Sequence, residues 1–151
     1  GYNLKITDMQ AACGLGQLSK VNQFIDSRKK NFNYLYENLK KYENFFLLPQ
    51  KTANSEPSWF GFPLTIRDNI PFNRDEIIKE LNKNKIGTRL LFSGNVTLQP
   101  YMKNINYRVS GELKNTNKVL TSTFWIGVYP GITKNMLDFM ITTIENFVKK
   151  H

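Results

Sequence analysis

The order of patterned segments predicts an α/β (α+β) lobe, with helices packed on one face of a small sheet. Apolar residues recur at three- and four-residue spacing in the opening and closing segments, while short β-type runs lie between them. The resulting order is two helices, two strands, helix, strand, short helix, strand, helix. That gives too few strands for a doubly wound nucleotide-binding sheet. The chain has 151 residues, 40% hydrophobic and 13% aromatic. One core of this size buries about two thirds of the surface that the unfolded chain exposes.

Each element has a local cause. Thr7-Asp8-Met9-Gln10 fits a capping box, with Asp8 suited to the positive end of the helix dipole. The helix it opens carries Ala11, Ala12, Gly14 and Gly16, small residues that predict close approach of another backbone. Cys13-Gly14-Leu15-Gly16 falls inside this helix and is not a strand-to-helix phosphate loop. From Ser19 to about Tyr42, Val21, Phe24, Ile25, Phe32, Leu35, Tyr36, Leu39 and Tyr42 mark a long amphipathic helix. At 1.5 Å per residue it spans about 30 Å, long enough to link two lobes. Residues 1–43 are accordingly expected to lead in from another domain, and 44–151 to form the small domain.

Phe46-Leu47-Leu48 reads as a short strand and Trp59 to Ile66 as the next. Pro63 within it predicts an edge position or a bulge. Asn73 with Glu76 caps a helix that Gly87 is expected to stop. Thr88 to Phe92 returns as a strand, and 93–111 is a long polar loop of the kind that is usually functional or disordered, here ordered by its aromatics. A short helix over Leu113 to Leu120, a buried strand from Phe124 to Val128 and a turn at Tyr129-Pro130-Gly131 follow. Thr133 caps the last helix, whose apolar stripe is Leu137, Met140, Ile141, Ile144, Phe147 and Val148.

Composition narrows the chemistry. Cys13 is the sole cysteine and His151 the sole histidine. Internal disulfides, CxxC metal sites and Ser-His or Cys-His nucleophile pairs therefore do not arise within these residues, and no metal site is expected. No apolar run reaches the roughly 20 residues of a membrane helix. Without a secretory leader, the chain reads as cytoplasmic. Its net charge of +9 suggests polyanionic partners such as nucleic acid, anionic membrane or phosphate-bearing substrates, but the spread of the basic residues along the chain weakens the first two, and neither nucleic acid nor a membrane is expected as a partner. The densest basic groups, Arg28-Lys29-Lys30 and Lys40-Lys41, read as solvated helix faces. Beginning at Gly1 with no methionine, the sequence reads as a piece of a longer protein.

The run from Gly1-Tyr2-Asn3-Leu4-Lys5-Ile6-Thr7-Asp8-Met9-Gln10 to Leu18 resembles a signature of the DegT/DnrJ/EryC1/StrS family of sugar aminotransferases and dehydrases. Pro57-Ser58-Trp59-Phe60-Gly61-Phe62-Pro63, Ile86 to Asn95, Gln99-Pro100-Tyr101 and Thr123 to Gly131 extend the resemblance over essentially the whole chain. These blocks look most like the CDP-4-keto-6-deoxyglucose 3-dehydrase branch of lipopolysaccharide O-antigen biosynthesis. The resemblance implies an aspartate-aminotransferase-like fold (fold type I), of which this chain is the small carboxy-terminal domain with a mostly antiparallel sheet. It implies pyridoxal or pyridoxamine 5'-phosphate in the full-length enzyme, a homodimer and a sugar-nucleotide substrate. In reductase-coupled members it also implies an iron-sulfur cluster on upstream cysteines and a flavin/iron-sulfur reductase partner. The cofactor-anchoring position, lysine in aminotransferases and histidine in the dehydrase branch, lies upstream of Asn3. No catalytic residue is thus expected here, and the piece alone is expected to be inactive and cofactor-free.

By the same resemblance, Asn3 contacts the cofactor phosphate of a neighbouring subunit. Lys5 stands where many family aminotransferases carry arginine, and supplies a point charge instead of a bidentate fork. Arg89, Phe92 and Asn95 form the candidate substrate cluster: cation for diphosphate, ring for apolar sugar surface, amide for hydroxyls. Arg89 serves equally well as a structural ion pair. Arg108 and Tyr101 are weaker candidates. Trp59, Phe60, Phe62, Phe124 and Trp125 are expected in the core. Two other readings remain: an aminotransferase of the same family, and a basic nucleic-acid-binding or adaptor domain.

Overall fold

The computed structural model describes residues 4–151. Thr7 opens α1 (Asp8–Leu18) through a reciprocal box: its Oγ1 accepts from the Gln10 backbone N–H at 3.3 Å, and Gln10 Oε1 accepts the Thr7 N–H at 2.9 Å. No residue of α1 is buried, and a Cβ added at Gly14 or Gly16 meets nothing within 4 Å. The close packing expected at these small residues is therefore not made among the described residues, where the whole of α1 stays exposed. Leu4, Ile6, Met9, Leu15 and Leu18 stay exposed along this segment.

In α2 (Val21–Leu39), Phe24 and Ile25 are half-buried, and Phe32, Leu35 and Leu39 are buried. A 3-10 turn over Lys40–Tyr42 continues the stripe to buried Tyr42. The basic groups here are partly tied down. Arg28 Nη1 donates to the Trp59 carbonyl at 3.4 Å, and Lys29 pairs with Glu56 at 2.5 Å. Arg28 and Lys29 thus hold the loop between the first two strands, while Lys30 stays on the exposed helix face.

The sheet is antiparallel throughout, with strands β1 (Phe46–Leu47), β2 (Gly61–Ile66), β3 (Thr88–Leu90) and β4 (Thr123–Gly127) in the order β1-β2-β4-β3. Alternation sends Phe62, Leu64 and Ile66 of β2 and Phe124 and Ile126 of β4 into the core. There they meet α2, α3 (Arg74–Lys83) and α5 (Lys134–Val148), so one sheet face carries the main packing. Full burial of a Leu or Phe side chain contributes about 1.5–3 kcal/mol. β1 pairs only with Ile66 and Thr65, whereas β4 pairs with β2 from Thr65 down to Gly61. Pro63 therefore sits in an interior strand at a level where one side is open, and its missing N–H breaks no ladder bond to β1.

Two strand ends differ from expectation. β2 starts at Gly61, not Trp59, because Trp59 turns to stack on Phe32 with ring centroids 4.3 Å apart and planes 4° apart. β3 stops at Leu90, because the chain turns there: the Phe92 N–H reaches back to the Leu90 carbonyl at 2.7 Å and Phe92 takes φ 52°.

The second capping box holds, with the Asn73 side chain accepting from Asp75 and Glu76 N–H groups and Glu76 reaching back to Asn73. The stop does not fall at Gly87. Lys85 N–H bonds the Asn82 carbonyl and Ile86 N–H the Leu81 carbonyl, each at 2.9 Å, with Lys85 at φ 59°. This is a Schellman motif with lysine in the left-handed position, completed by the buried Leu81 and Ile86 side chains.

The long loop holds two 3-10 turns, Val96–Leu98 and Pro100–Asn104, before α4 (Lys114–Ser122) runs directly into β4. Thr133 caps α5, accepting from the Met136 N–H at 3.4 Å.

Candidate functional site

The sheet face turned away from the core carries the site. Cross-strand register places Pro63 and Arg89 on either side of Trp125, so the three share one row on that face. The indole lies over Gly61, where an added Cβ would come within 2.2 Å of its Cε3 atom. Its Nε1–H donates to the Leu90 carbonyl at 3.2 Å, which fixes the ring's direction. Phe60 packs at 5.0 Å from the indole, tilted by 51°, and is 66% exposed. Trp59, Leu91 and Phe92 complete an open aromatic groove of about 250 Å³.

The turn after β3 presents Phe92. A Phe in the left-handed region costs about 1–3 kcal/mol and persists only when its surroundings hold it there. Gly94, at φ 59°, supplies the hold: it lets the loop approach Leu120 so closely that a Cβ would stand 2.6 Å from the Leu120 Cα. The Phe92 ring, 78% exposed, is thereby offered to solvent beside the groove.

The predicted residues separate. Arg89 and Phe92 come to the same end of β3, both exposed. Arg89 Nη1 donates to its neighbour's carbonyl, Thr88 O, at 2.9 Å and makes no ion pair among the described residues. Asn95 is turned inward and 2% exposed. Its Nδ2 donates to Asn117 Oδ1 at 2.7 Å, and its Oδ1 accepts from the Thr97 N–H at 3.0 Å and hydroxyl at 2.7 Å. The amide is thus engaged between the loop and α4 (Lys114–Ser122). Lys5 is exposed near the start of α1, and Tyr101 and Arg108 are exposed on the long loop. Asn3 lies outside the described residues.

Of the aromatics expected in the core, Phe62 and Phe124 are fully buried, whereas Phe60 and Trp125 line the groove. Period-two alternation carries the missing signal: Phe124 faces in, so Trp125 faces out. A larger cavity of about 490 Å³ lies between the α3–β3 turn and the start of α5. Its walls are mainly apolar, with Ile86, Ile132, Met136 and Phe139 among them, and Lys85, its one charged side chain, belongs to the helix cap.

Perturbed ionisable groups cluster instead at the α2–α5 seam. A hydrogen bond from Lys149, followed by one from Tyr42, holds the Glu145 carboxyl down to about 2. Lys134 and then Tyr34 likewise lower Asp138. The lysine pairs run along α5 itself, Tyr34 and Tyr42 tie the carboxylates to α2 and the turn after it, and none of these residues lines the groove. Among the described residues no group of His, Cys, Asp and Glu could hold a metal ion, and no helix is long and apolar enough to cross a membrane.

This architecture is that of the lobe found in aminotransferase-like enzymes. An aminotransferase from Psychrobacter cryohalolentis superposes with TM-score 0.88 at 21% identity over 99% of this chain and 40% of its own. GDP-4-keto-6-deoxymannose-3-dehydratase with bound GDP-perosamine superposes with TM-score 0.85 at 26% identity, over 95% of this chain and 37% of its own. The profile of the DegT/DnrJ/EryC1/StrS aminotransferase family matches residues 1–145, and the chain belongs to that family. Lipopolysaccharide biosynthesis protein RfbH of Salmonella typhimurium is 54% identical over 97% of this chain and 34% of its own length. The dTDP-4-dehydro-2,6-dideoxy-D-glucose 3-dehydratase of Saccharopolyspora spinosa is 46% identical over 99% and 32%. The chain therefore spans about a third of the relatives it matches.

Toward a pyridoxal-type phosphate this chain offers Lys5, an exposed ammonium two residues before the α1 cap, where the positive end of the helix dipole adds to it. Lys5 lines neither the groove nor the larger cavity. One ammonium at a helix start fits a single phosphate contact and does not by itself form a cofactor site.

Proposed function

We propose that this chain is the carboxy-terminal part of a pyridoxamine-phosphate-dependent sugar-nucleotide 3-dehydrase acting on a CDP-4-keto-6-deoxyglucose-type substrate in deoxysugar and O-antigen biosynthesis. The observation that carries the reading is the chain-long identity to a protein named as a 3-dehydratase, joined to the same fold in a second one. When bound, the cofactor supplies the electron sink for removal of the C3 hydroxyl. The residues here bind and orient. Residues 1–43 lead in from the large domain and 44–151 form the small one. Asn3 and Lys5 reach the cofactor phosphate, Arg89 meets the substrate diphosphate, Phe92 covers its apolar surface, and Asn95 holds the loop that presents them.

The full-length protein is read as a cytoplasmic homodimer. An iron-sulfur cluster with a flavin/iron-sulfur reductase would draw on cysteines other than Cys13, which lies exposed on α1.

Aminotransferase relatives support a second reading, in which an amine is transferred to the sugar. The test is to assay the full-length protein with 4-keto-6-deoxy sugar nucleotides. C3 deoxygenation, with histidine at the cofactor-anchoring position, is the expected result. Amine transfer with lysine at that position overturns it. Arg89→Ala is expected to cost about 1.5–3 kcal/mol of substrate binding, the range for a hydrogen bond to a charged group.

A further inference from the structure

The groove on the outer sheet face is built for a flat ring. Its walls are the faces and edges of Phe60, Trp125 and Phe92, and its volume of about 250 Å³ falls below the roughly 300–1,000 Å³ that encloses a whole drug-sized ligand. One ring system fits where a complete sugar nucleotide does not. A cation stands on the same sheet face: Arg89 is paired opposite Trp125 across β3 and β4 and has no carboxylate partner among the described residues. Aromatic walls beside an unneutralised guanidinium match the two ends of a nucleoside diphosphate, a planar base and an anionic chain.

We propose that the Phe60–Trp125–Phe92 groove seats the nucleobase of the nucleoside diphosphate moiety, with Arg89 beside it for the diphosphate. This inference rests on the sugar-nucleotide reading and deepens it. The base is held by stacking on ring faces, which every base possesses, so the groove contributes affinity with little discrimination among bases. Gly61 is part of the design, since any side chain there would push the indole out of its place over the strand. The Trp125 Nε1–H bond to the Leu90 carbonyl keeps the platform fixed before the ligand arrives.

The experiment uses the full-length, cofactor-loaded protein, with CDP, dTDP, GDP and inorganic pyrophosphate as probes in a calorimetric titration. Phe92→Ala removes an exposed ring and leaves packing intact; Trp125→Ala removes the platform, and Trp125→Phe restores a ring. The expected result is weaker binding of each nucleoside diphosphate by about 5- to 150-fold in the two alanine variants. Pyrophosphate binding should be unchanged in them, and Trp125→Phe should recover most of the loss. Arg89→Ala should weaken pyrophosphate and nucleotides alike. Equal losses for CDP and pyrophosphate in Phe92→Ala overturn the groove assignment. So does a Trp125→Ala variant that loses thermal stability while keeping nucleotide affinity, which would make the groove a packing surface for the rest of the protein. Those results leave sugar-nucleotide turnover standing. A wild-type protein that neither binds nor turns over any sugar nucleotide overturns both readings.

Discussion

Gly61→Ala isolates the contact on which the groove depends. An added Cβ would lie 2.2 Å from Trp125 Cε3, 2.8 Å from Cζ3 and 2.9 Å from Cδ2. All three belong to a rigid bicycle, so no flexible end can yield. Restoring a carbon contact of about 3.5 Å requires the indole to move by more than about 1 Å. That movement strains the 3.2 Å bond to the Leu90 carbonyl. Overpacking costs about 1–3 kcal/mol and the lost bond about 0.5–1.5, against roughly 0.5–1 kcal/mol regained by replacing a strand glycine. The net expectation is about 0.5–4 kcal/mol of destabilisation, each kcal/mol lowering Tm by about 2–4 °C at this chain length. Urea unfolding followed by far-UV circular dichroism gives the energy, and near-UV circular dichroism reports the indole. A double-mutant cycle with Trp125→Ala should show the alanine becoming harmless once the ring is gone. An unchanged midpoint with an unchanged near-UV spectrum would refute the close contact.

Other perturbations test separate parts of the molecule. Lys85→Gly relieves the left-handed lysine at the end of α3 and should raise stability by about 0.5–1 kcal/mol, measured as a higher urea midpoint; a lower midpoint would contradict the Schellman assignment. Asn95→Ala should cost about 1–3 kcal/mol, because it strips the partners of Thr97 and Asn117, and Asn95→Asp should retain the Thr97 bonds. Lost nucleotide binding with intact stability would instead make Asn95 a direct ligand. Glu145 has a folded value of about 2, below its ordinary 4.5, owing first to Lys149 and then to Tyr42. Its contribution is therefore complete above about pH 4.5 and disappears as pH falls toward 2. Glu145→Gln should flatten the acid limb of a stability-versus-pH profile in that window, and an identical limb would show that the carboxylate's bonds to Lys149 and Tyr42 do not stabilise the fold.

Much of the fold was legible because its signals are local. Thr7 with Gln10, Asn73 with Glu76 and Thr133 before α5 act over three residues, so sequence spacing alone determines that helices start there. The stripe of α5 and the alternation of β2 are likewise periodic, and they fix which faces are buried. Period two also contained the outward placement of Trp125, which a general preference for buried aromatics obscured. The family was carried by long blocks of residues, and with it the fold.

Tertiary structure decided what depends on partners far away in the chain. Pro63 lies in an interior strand because β1 is only two residues long, a fact of pairing and not of β2 itself. Asn95 faces inward because Asn117, 22 positions on, is there to accept its amide hydrogen. Lys85, not Gly87, takes the left-handed turn because burying Ile86 against Leu81 outweighs the backbone preference. The groove itself exists only once β2, β3 and β4 are in register. Arg89, Trp125, Gly61 and Phe92 share no sequence pattern, and side-chain contact across strands is what makes them one site.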